Sequence, residues 1–348
     1  MYTKKPLHFV VDYSKPTKAV YKEAMASMLI GSGTLTILSR VQSPSAMKVV
    51  DLPSWVVDFS TAAPRPFLDL QLLAHPCAPY GFFDAARSRS VGFRIKDSTL
   101  HLHCFVLAIV THIGDSSDDG FPKGLFERTA EMILARTKYT SPERQHVDDL
   151  WRTMLCDFTS LDRRRTSEDE LRSAYRALLE YYNREAVLLG HERNISRTQT
   201  LDQMQNQERL AKLDVTGTIP SRRDVEASCQ RIGLLEHGFG VVNYSDHDRL
   251  WQESQPFPFV YMRTMCLRRV FLLDNGALGV GPGDTQPGDE LCVIADGGRT
   301  PFIMRRTENE DPNCRILIGE AYVRGIMYGE AVIKMEKEGK TWQEVCLI

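Results

Sequence analysis

Absences set the first limits on this 348-residue chain. Its eight cysteines are scattered through apolar segments and include no Cys-x-x-Cys pair. That scatter offers no zinc motif. With no charged-then-apolar leader at the start, it predicts reduced thiols and a cytoplasmic protein. No apolar run reaches membrane-spanning length, so no membrane span is expected. Neither sign of charge dominates: 43 Lys and Arg stand against 45 Asp and Glu, a net charge of -2. Such a balance excludes a general electrostatic pull toward nucleic acid. The basic runs Arg163-Arg164-Arg165 and Arg222-Arg223 sit beside acidic residues and read as solvated helix ends. There is no Gly-x-Ser-x-Gly, and no Gly-Lys-Ser/Thr follows Gly279-Val280-Gly281-Pro282-Gly283 at phosphate-loop spacing. Those glycines read as strand connections. No cofactor and no metal are expected.

What is present is a 43% hydrophobic chain, enough for a sizeable core. From Arg268 to Glu330, short apolar runs alternate with turn chemistry. Asp274-Asn275-Gly276 and Asp296-Gly297-Gly298 supply residues that tolerate positive φ and close tight hairpins. This predicts a meander curling into a small barrel. Upstream, Gly92 to Ile113 reads as a hairpin about Asp97-Ser98, with Leu100, Leu102, Cys104 and Val106 on one face. His101, His103 and Phe105 fall on the other. Between these parts lies helical periodicity, including Val147, Leu150, Trp151, Met154 and Leu155, and Leu171, Tyr175, Leu178 and Tyr182 behind a Ser167/Glu170 capping box. The expected fold is α+β: a small discontinuous barrel, or curled antiparallel sheet, with a large helical insertion. The expected divisions are 1–50 (helix and strand), 51–114 (Trp/Pro loop and first hairpin), 115–260 (helical insertion) and 261–348 (remaining strands). Leu7 to Val11 and Thr34 to Leu38 read as strands, and Pro256-Phe257-Pro258 as the return to strand pattern.

The same residues carry a resemblance. Gly279, Gly281 and Pro282, Gly288-Asp289, Pro301-Phe302, Met304-Arg305, Gly319-Glu320, Tyr322-Val323, Gly325-Ile326-Met327 and Gly329-Glu330 resemble the C-terminal part of the fungal heterokaryon-incompatibility (HET) family. Leu52-Pro53-Ser54-Trp55-Val56-Val57-Asp58 resembles its Leu-Pro-Ser-Trp-x-x-Asp segment, and Leu150-Trp151-Arg152-Thr153 its Leu-Trp-Arg-Thr helix. Ala321 and Arg324 stand where family members often carry Cys and His. The family's TIR-like effector would lie before Met1. The resemblance implies a region that senses a partner and is coupled elsewhere to an effector.

Chemistry is less legible. His101 and His103 share a strand face and could hold a metal with His75, Cys77 or His112, but no second motif completes such a site. Glu320 could act as acid or base with Glu330, or pair with a buried arginine such as Arg305. Two functions are carried forward. The first is a stand-alone, cofactor-independent cyclase or cycloaddition enzyme acting on an apolar secondary metabolite. Its site is expected where the Trp55 loop meets the barrel and the helices. There Trp55, Asp58, Tyr80 and Glu320 would bind the substrate, and His75, His103 or Tyr322 would donate a hydrogen bond to it. The second is a recognition or regulatory region with no catalysis of its own.

Overall fold

The structure is a computed structural model that describes residues 12, 14–61, 65–67, 69–70, 83–117, 148–158, 167–193, 208–209, 211–212, 214, 217–232, 244–307 and 311–348. The expectations for Leu7 to Val11, His75, Cys77, Tyr80 and Arg163 to Arg165 lie outside these residues.

The sheet is organised by one long strand. β1 (Arg94–Lys96) turns through Asp97 and Ser98, both at positive φ, into β2 (Thr99–Ser117). Irregularities after Val106, Val110 and Ile113 bend β2, so that successive stretches serve different neighbours. Leu100 to Cys104 pair with β9 (Gln343–Leu347), and Cys104 to Ile109 with β5 (Glu290–Ile294). Val110 to Ser117 pair with β3 (Arg268–Leu273). Strands β5, β6 (Phe302–Arg306), β7 (Cys314–Glu320), β9 and β2 close into a five-strand barrel. From β2 the sheet continues through β3 and β4 (Leu278–Pro282) to β8 (Tyr322–Val323). The strands before and after the helices thus form one discontinuous sheet.

Every pairing in the sheet is antiparallel except β7 with β9. The exception has a topological cause. The chain leaves β7 through β8 and a helix, Glu330–Lys337, and a crossover of that kind returns the next strand parallel. Alternation along the ring directs Leu102, Cys104, Cys292, Ile294, Phe302, Met304, Leu317, Val345 and Leu347 inward. Trp55, Val56 and the buried side of helix α1 (Thr17–Ser32) pack against the same cluster.

Gly279 and Gly281 lie within β4 rather than connecting strands. A Cβ on Gly279 would stand 2.3 Å from the Phe271 ring, so the missing side chain makes room for that aromatic.

A second core joins the sheet to the helices α2 (Asp148–Met154), α3 (Glu168–Arg193), α4 (Arg222–Arg231), α5 (Tyr244–Ser254) and α6 (Pro256–Met265). Trp151, Met154, Tyr175, Phe257 and Tyr261 meet Val270, Leu272, Val280 and Tyr322 there. Arg222-Arg223 forms the exposed first turn of α4, a solvated helix end as expected. Buried Arg184 on α3 donates to Ser228 Oγ on α4 at 2.5 Å and meets Asp246 on α5 at 3.4 Å. The last helix, α7, is Glu330–Lys337.

Two local expectations are corrected. Thr36–Arg40 is a 3-10 helix, and Leu35, capping it, and Leu38 within it are buried three residues apart rather than in strand alternation. Pro256-Phe257-Pro258 opens α6 instead of a strand, because proline is tolerated in a helix's first turn.

Candidate functional site at the barrel–helix junction

Two residues expected at the site, Glu320 and Tyr322, lie at the junction of barrel and helices. Glu320 ends β7 and is 5% exposed. Its Oε1 accepts from Arg268 Nη2 at 3.1 Å and from the Phe67 N–H at 2.6 Å, and its Oε2 from Thr300 Oγ1 at 3.3 Å. The expected partner, Arg305, is elsewhere: β6 carries it to Asp289, 2.7 Å away. Register explains the difference, because the buried residue at the base of β3, near the end of β7, is Arg268. The Arg268 guanidinium also donates to the carbonyls of Thr264 and Arg65, at 3.1 and 2.6 Å, and lies 4.1 Å from the Phe67 ring centre. Burial raises the Glu320 carboxyl to about 7, a pull that Arg268, the Phe67 N–H and Thr300 only partly offset.

Tyr322 is next in space. Its hydroxyl donates to Asp157 Oδ2 at 2.6 Å. Burial, then the Asp157 charge, pushes the phenol well above its usual range. Arg324 contacts the same Asp157 oxygen at 3.3 Å and Asp149 at 2.9 Å, clipping α2 and the turn after it to the barrel. In that turn Cys156 and Asp157 both hold positive φ. Burial raises the Cys156 thiol well above its ordinary value, so it is held as a neutral thiol.

The other described candidates stand apart from this junction. Trp55 is fully buried in the barrel core, and its Nε1 donates to the Ser98 carbonyl at 3.0 Å. Asp58 staples its own loop. Its Oδ2 accepts from the N–H groups of Lys48 and Val49 at 2.7 and 3.0 Å, and its Oδ1 from the N–H and Oγ of Ser60 at 2.9 and 2.5 Å. Burial alone would raise this carboxyl, but those hydrogen bonds outweigh it and hold it down to about 2. His103 lies on the other side of β2, with Nδ1 3.0 Å from the Gly92 carbonyl. Its neighbour His101 is 3.5 Å from Glu344.

Sequence reasoning missed two features. One is a cleft of about 320 Å³ between the barrel's outer face and α7, walled by Phe105, Leu107, Val323, Ile326 and Met335, with Lys334 and Lys340 at its rim. Among the described residues expected at the Trp55 site none lines it, but Glu330, named as an acid–base alternative, does. The other is a group formed by Asp311, Cys314 and Cys346. Among the described residues it is where His, Cys, Asp or Glu side chains come close enough in threes to share an ion. Cys314 and Cys346 are 32 positions apart, so no local spacing announces them.

Fold and junction together define an α+β protein built on a five-strand barrel clamped to a helical layer. Residues 244–340 match the Het-6 beta-barrel domain family. The chain is 38% identical over 91 residues to the heterokaryon incompatibility protein 6, OR allele, of Neurospora crassa, a match covering 26% of this chain and 13% of that protein. No solved structure matches. Over these residues the chain is similar to the heterokaryon-incompatibility family, and it spans about an eighth of the length of that relative. The matched residues supply α5 to α7 and β3 to β8, whereas β2 and β9, which complete the ring, lie outside them.

Proposed function

We propose that this chain is a recognition or regulatory region of a heterokaryon-incompatibility protein, with no covalent chemistry of its own at the barrel–helix junction. One observation carries the reading: the polar atoms gathered there are already bonded to one another. A catalytic acid or oxyanion donor needs an atom directed at substrate. Both Glu320 oxygens and the Tyr322 hydroxyl are engaged within the protein instead. Trp55 is fully buried within the barrel's hydrophobic cluster. The junction therefore favours a rigid scaffold whose surface meets a protein partner.

The cyclase reading has one observation in its favour, the apolar walls of the cleft beside α7. Its volume of about 320 Å³ falls at the small end of ligand pockets, which run from about 300 to 1,000 Å³.

Co-expression of unlike alleles in fungal cells, with growth arrest as readout, separates the two. Glu320→Gln and Tyr322→Phe, confirmed folded, should leave arrest intact, and purified protein should not turn over polyene or diene substrates. Turnover by the wild type that disappears on Tyr322→Phe would defeat the recognition reading.

A further inference from the structure

The barrel has one weak seam, between β7 and β9. Its ladder has two paired positions, Cys314 with Cys346 and Arg315 with Leu347. The other ring seams carry three to five. Parallel pairing is also slightly less stable per residue than antiparallel pairing. The first pair of this seam consists of two cysteines set directly opposite each other. Neighbouring strands run about 4.8 Å apart, inside the window of Cα separations that a disulfide spans. Both thiols are free, and their Sγ atoms lie 2.6 Å apart.

We propose that Cys314 and Cys346 are a redox modification site: a peroxide-class oxidant joins them in a reversible disulfide that staples the β7–β9 seam. The inference is independent of the recognition reading. Exposure assigns the order of events. Cys314 is partly exposed and Cys346 is buried, so Cys314 meets the oxidant and Cys346 resolves it. The Cys314 thiol gives up its proton, and its sulfur attacks one peroxide oxygen. The O–O bond breaks and water leaves, with Cys314 now a sulfenic acid. The Cys346 sulfur then attacks the Cys314 sulfur, the S–O bond breaks, and hydroxide leaves with the Cys346 proton as a second water. Two thiols are oxidised by two electrons and one peroxide is reduced to two waters. A dithiol reductant reverses the bond by exchange.

A shared metal fits less well. Two thiolates on one tetrahedral zinc, each at about 2.3 Å, stand roughly 3.7 Å apart, so both side chains would have to swing away from their present 2.6 Å approach. The third candidate ligand, Asp311, is exposed and 3.9 Å from Cys346 Sγ. Two other cysteines, Cys104 and Cys292, are also neighbours, but both are buried inside the ring, away from an oxidant in solution.

The test uses the full chain, reduced, desalted, treated with hydrogen peroxide, alkylated under denaturant and mapped by mass spectrometry. The expected result is one cross-link joining the peptides of Cys314 and Cys346, reversed by dithiothreitol. Stapling should raise Tm by about 3–5 °C. Cys314→Ser, at the more exposed position, should abolish both the link and the rise, while Cys266→Ser, at another exposed thiol, should change neither. Mapping the wild type does not depend on a variant folding. A bridge between other cysteines, over-oxidation of Cys314 without a bridge, or stoichiometric zinc protecting both thiols would overturn the proposal. A bridge with unchanged Tm would overturn its stapling role.

Discussion

Asp58 and Glu320 are two buried carboxylates whose surroundings drive them in opposite directions. Glu320 has a counter-ion, Arg268, yet its carboxyl rises to about 7. Asp58, in the loop between α1 and β1, has no ion pair among the described residues, yet its carboxyl falls to about 2. The difference lies in how deeply each group is cut off from water and in the donors around it. Asp58 receives three backbone N–H groups and a hydroxyl, all at 3.0 Å or less, from a loop folded around it. Glu320 receives one short backbone bond, a longer arginine contact and two hydroxyls, Thr300 at 3.3 Å and Ser39, at the dry interface of two cores. A shell of oriented donors thus outweighs the desolvation of Asp58, whereas the deeper desolvation of Glu320 outweighs both its counter-ion and its donors.

The largest disturbance should come from removing the counter-ion. Arg268→Ala leaves the Glu320 charge uncompensated in the junction and also removes the donors to Thr264 and Arg65. Loss of one partner of a buried pair costs about 3–5 kcal/mol, so the urea midpoint should fall sharply at pH 7. At pH 5, where Glu320 is protonated in the folded chain, the same substitution should cost less. An equal cost at both pH values would contradict the assignment of the proton to Glu320.

The opposite shifts also predict opposite pH slopes. The folded-state value of Glu320, about 7, lies above its ordinary 4.5, so between those values the folded chain binds more protons than the unfolded one. Its contribution is fully present below about pH 4.5 and is lost as pH rises through about 7, amounting to about 3 kcal/mol. The stability difference between wild type and Glu320→Gln should move by that amount across the window. A difference that stays flat would place the titration elsewhere.

Asp58 should behave in reverse. Its folded value of about 2 lies below its ordinary 3.8, so its stabilisation is present above 3.8 and lost as pH falls through about 2. Asp58→Asn offers one acceptor oxygen where the loop needs two, and leaves buried donors short of partners. A cost of about 1–3 kcal/mol at pH 7 is expected from denaturant unfolding, shrinking in acid. Protease cleavage within the loop of residues 41–61 should rise in parallel.

The two carboxylates were unequally legible in the sequence. Asp58 could be singled out beside Trp55, but nothing in its neighbours said that the chain would wrap it in amides. Glu320 could be paired with an arginine in principle. Which arginine depended on strand register, and the β6–β7 register carries an irregularity between Ile303 and Met304 that no local pattern announces. Turns were the most readable part, because Asn275-Gly276 and Asp296-Gly297 state their backbone needs locally: Gly276, Asp296 and Gly297 all hold positive φ. The helical interruption was readable from its repeat. The Pro256–Pro258 stretch misled because proline marks both strand breaks and helix starts. His103 and Glu320 were grouped by chemistry alone, and the barrel places them on different sides of its wall. Cys314 and Cys346 meet only because the α7 crossover returns β9 beside β7.

The smallest expected effect sharpens the same comparison at the wetter edge of the junction. Tyr322→Phe removes the hydroxyl that donates to Asp157 and nothing else. Asp157 keeps Arg324 at 3.3 Å and is itself solvent-exposed, so no buried charge loses its last partner. The ring should continue to pack 6.1 Å from both Phe67 and Phe83. Only the net worth of one hydrogen bond is lost, about 1 kcal/mol. The substitution should therefore lower the urea midpoint slightly and leave the pH dependence assigned to Glu320 unchanged. If Tyr322→Phe costs as much as Arg268→Ala, the hydroxyl and the ion pair act as one network and the junction cannot be divided into a dry and a wet part. A double-mutant cycle between Tyr322 and Glu320 measures that coupling directly, and a value within about 0.5 kcal/mol of zero is the expected result.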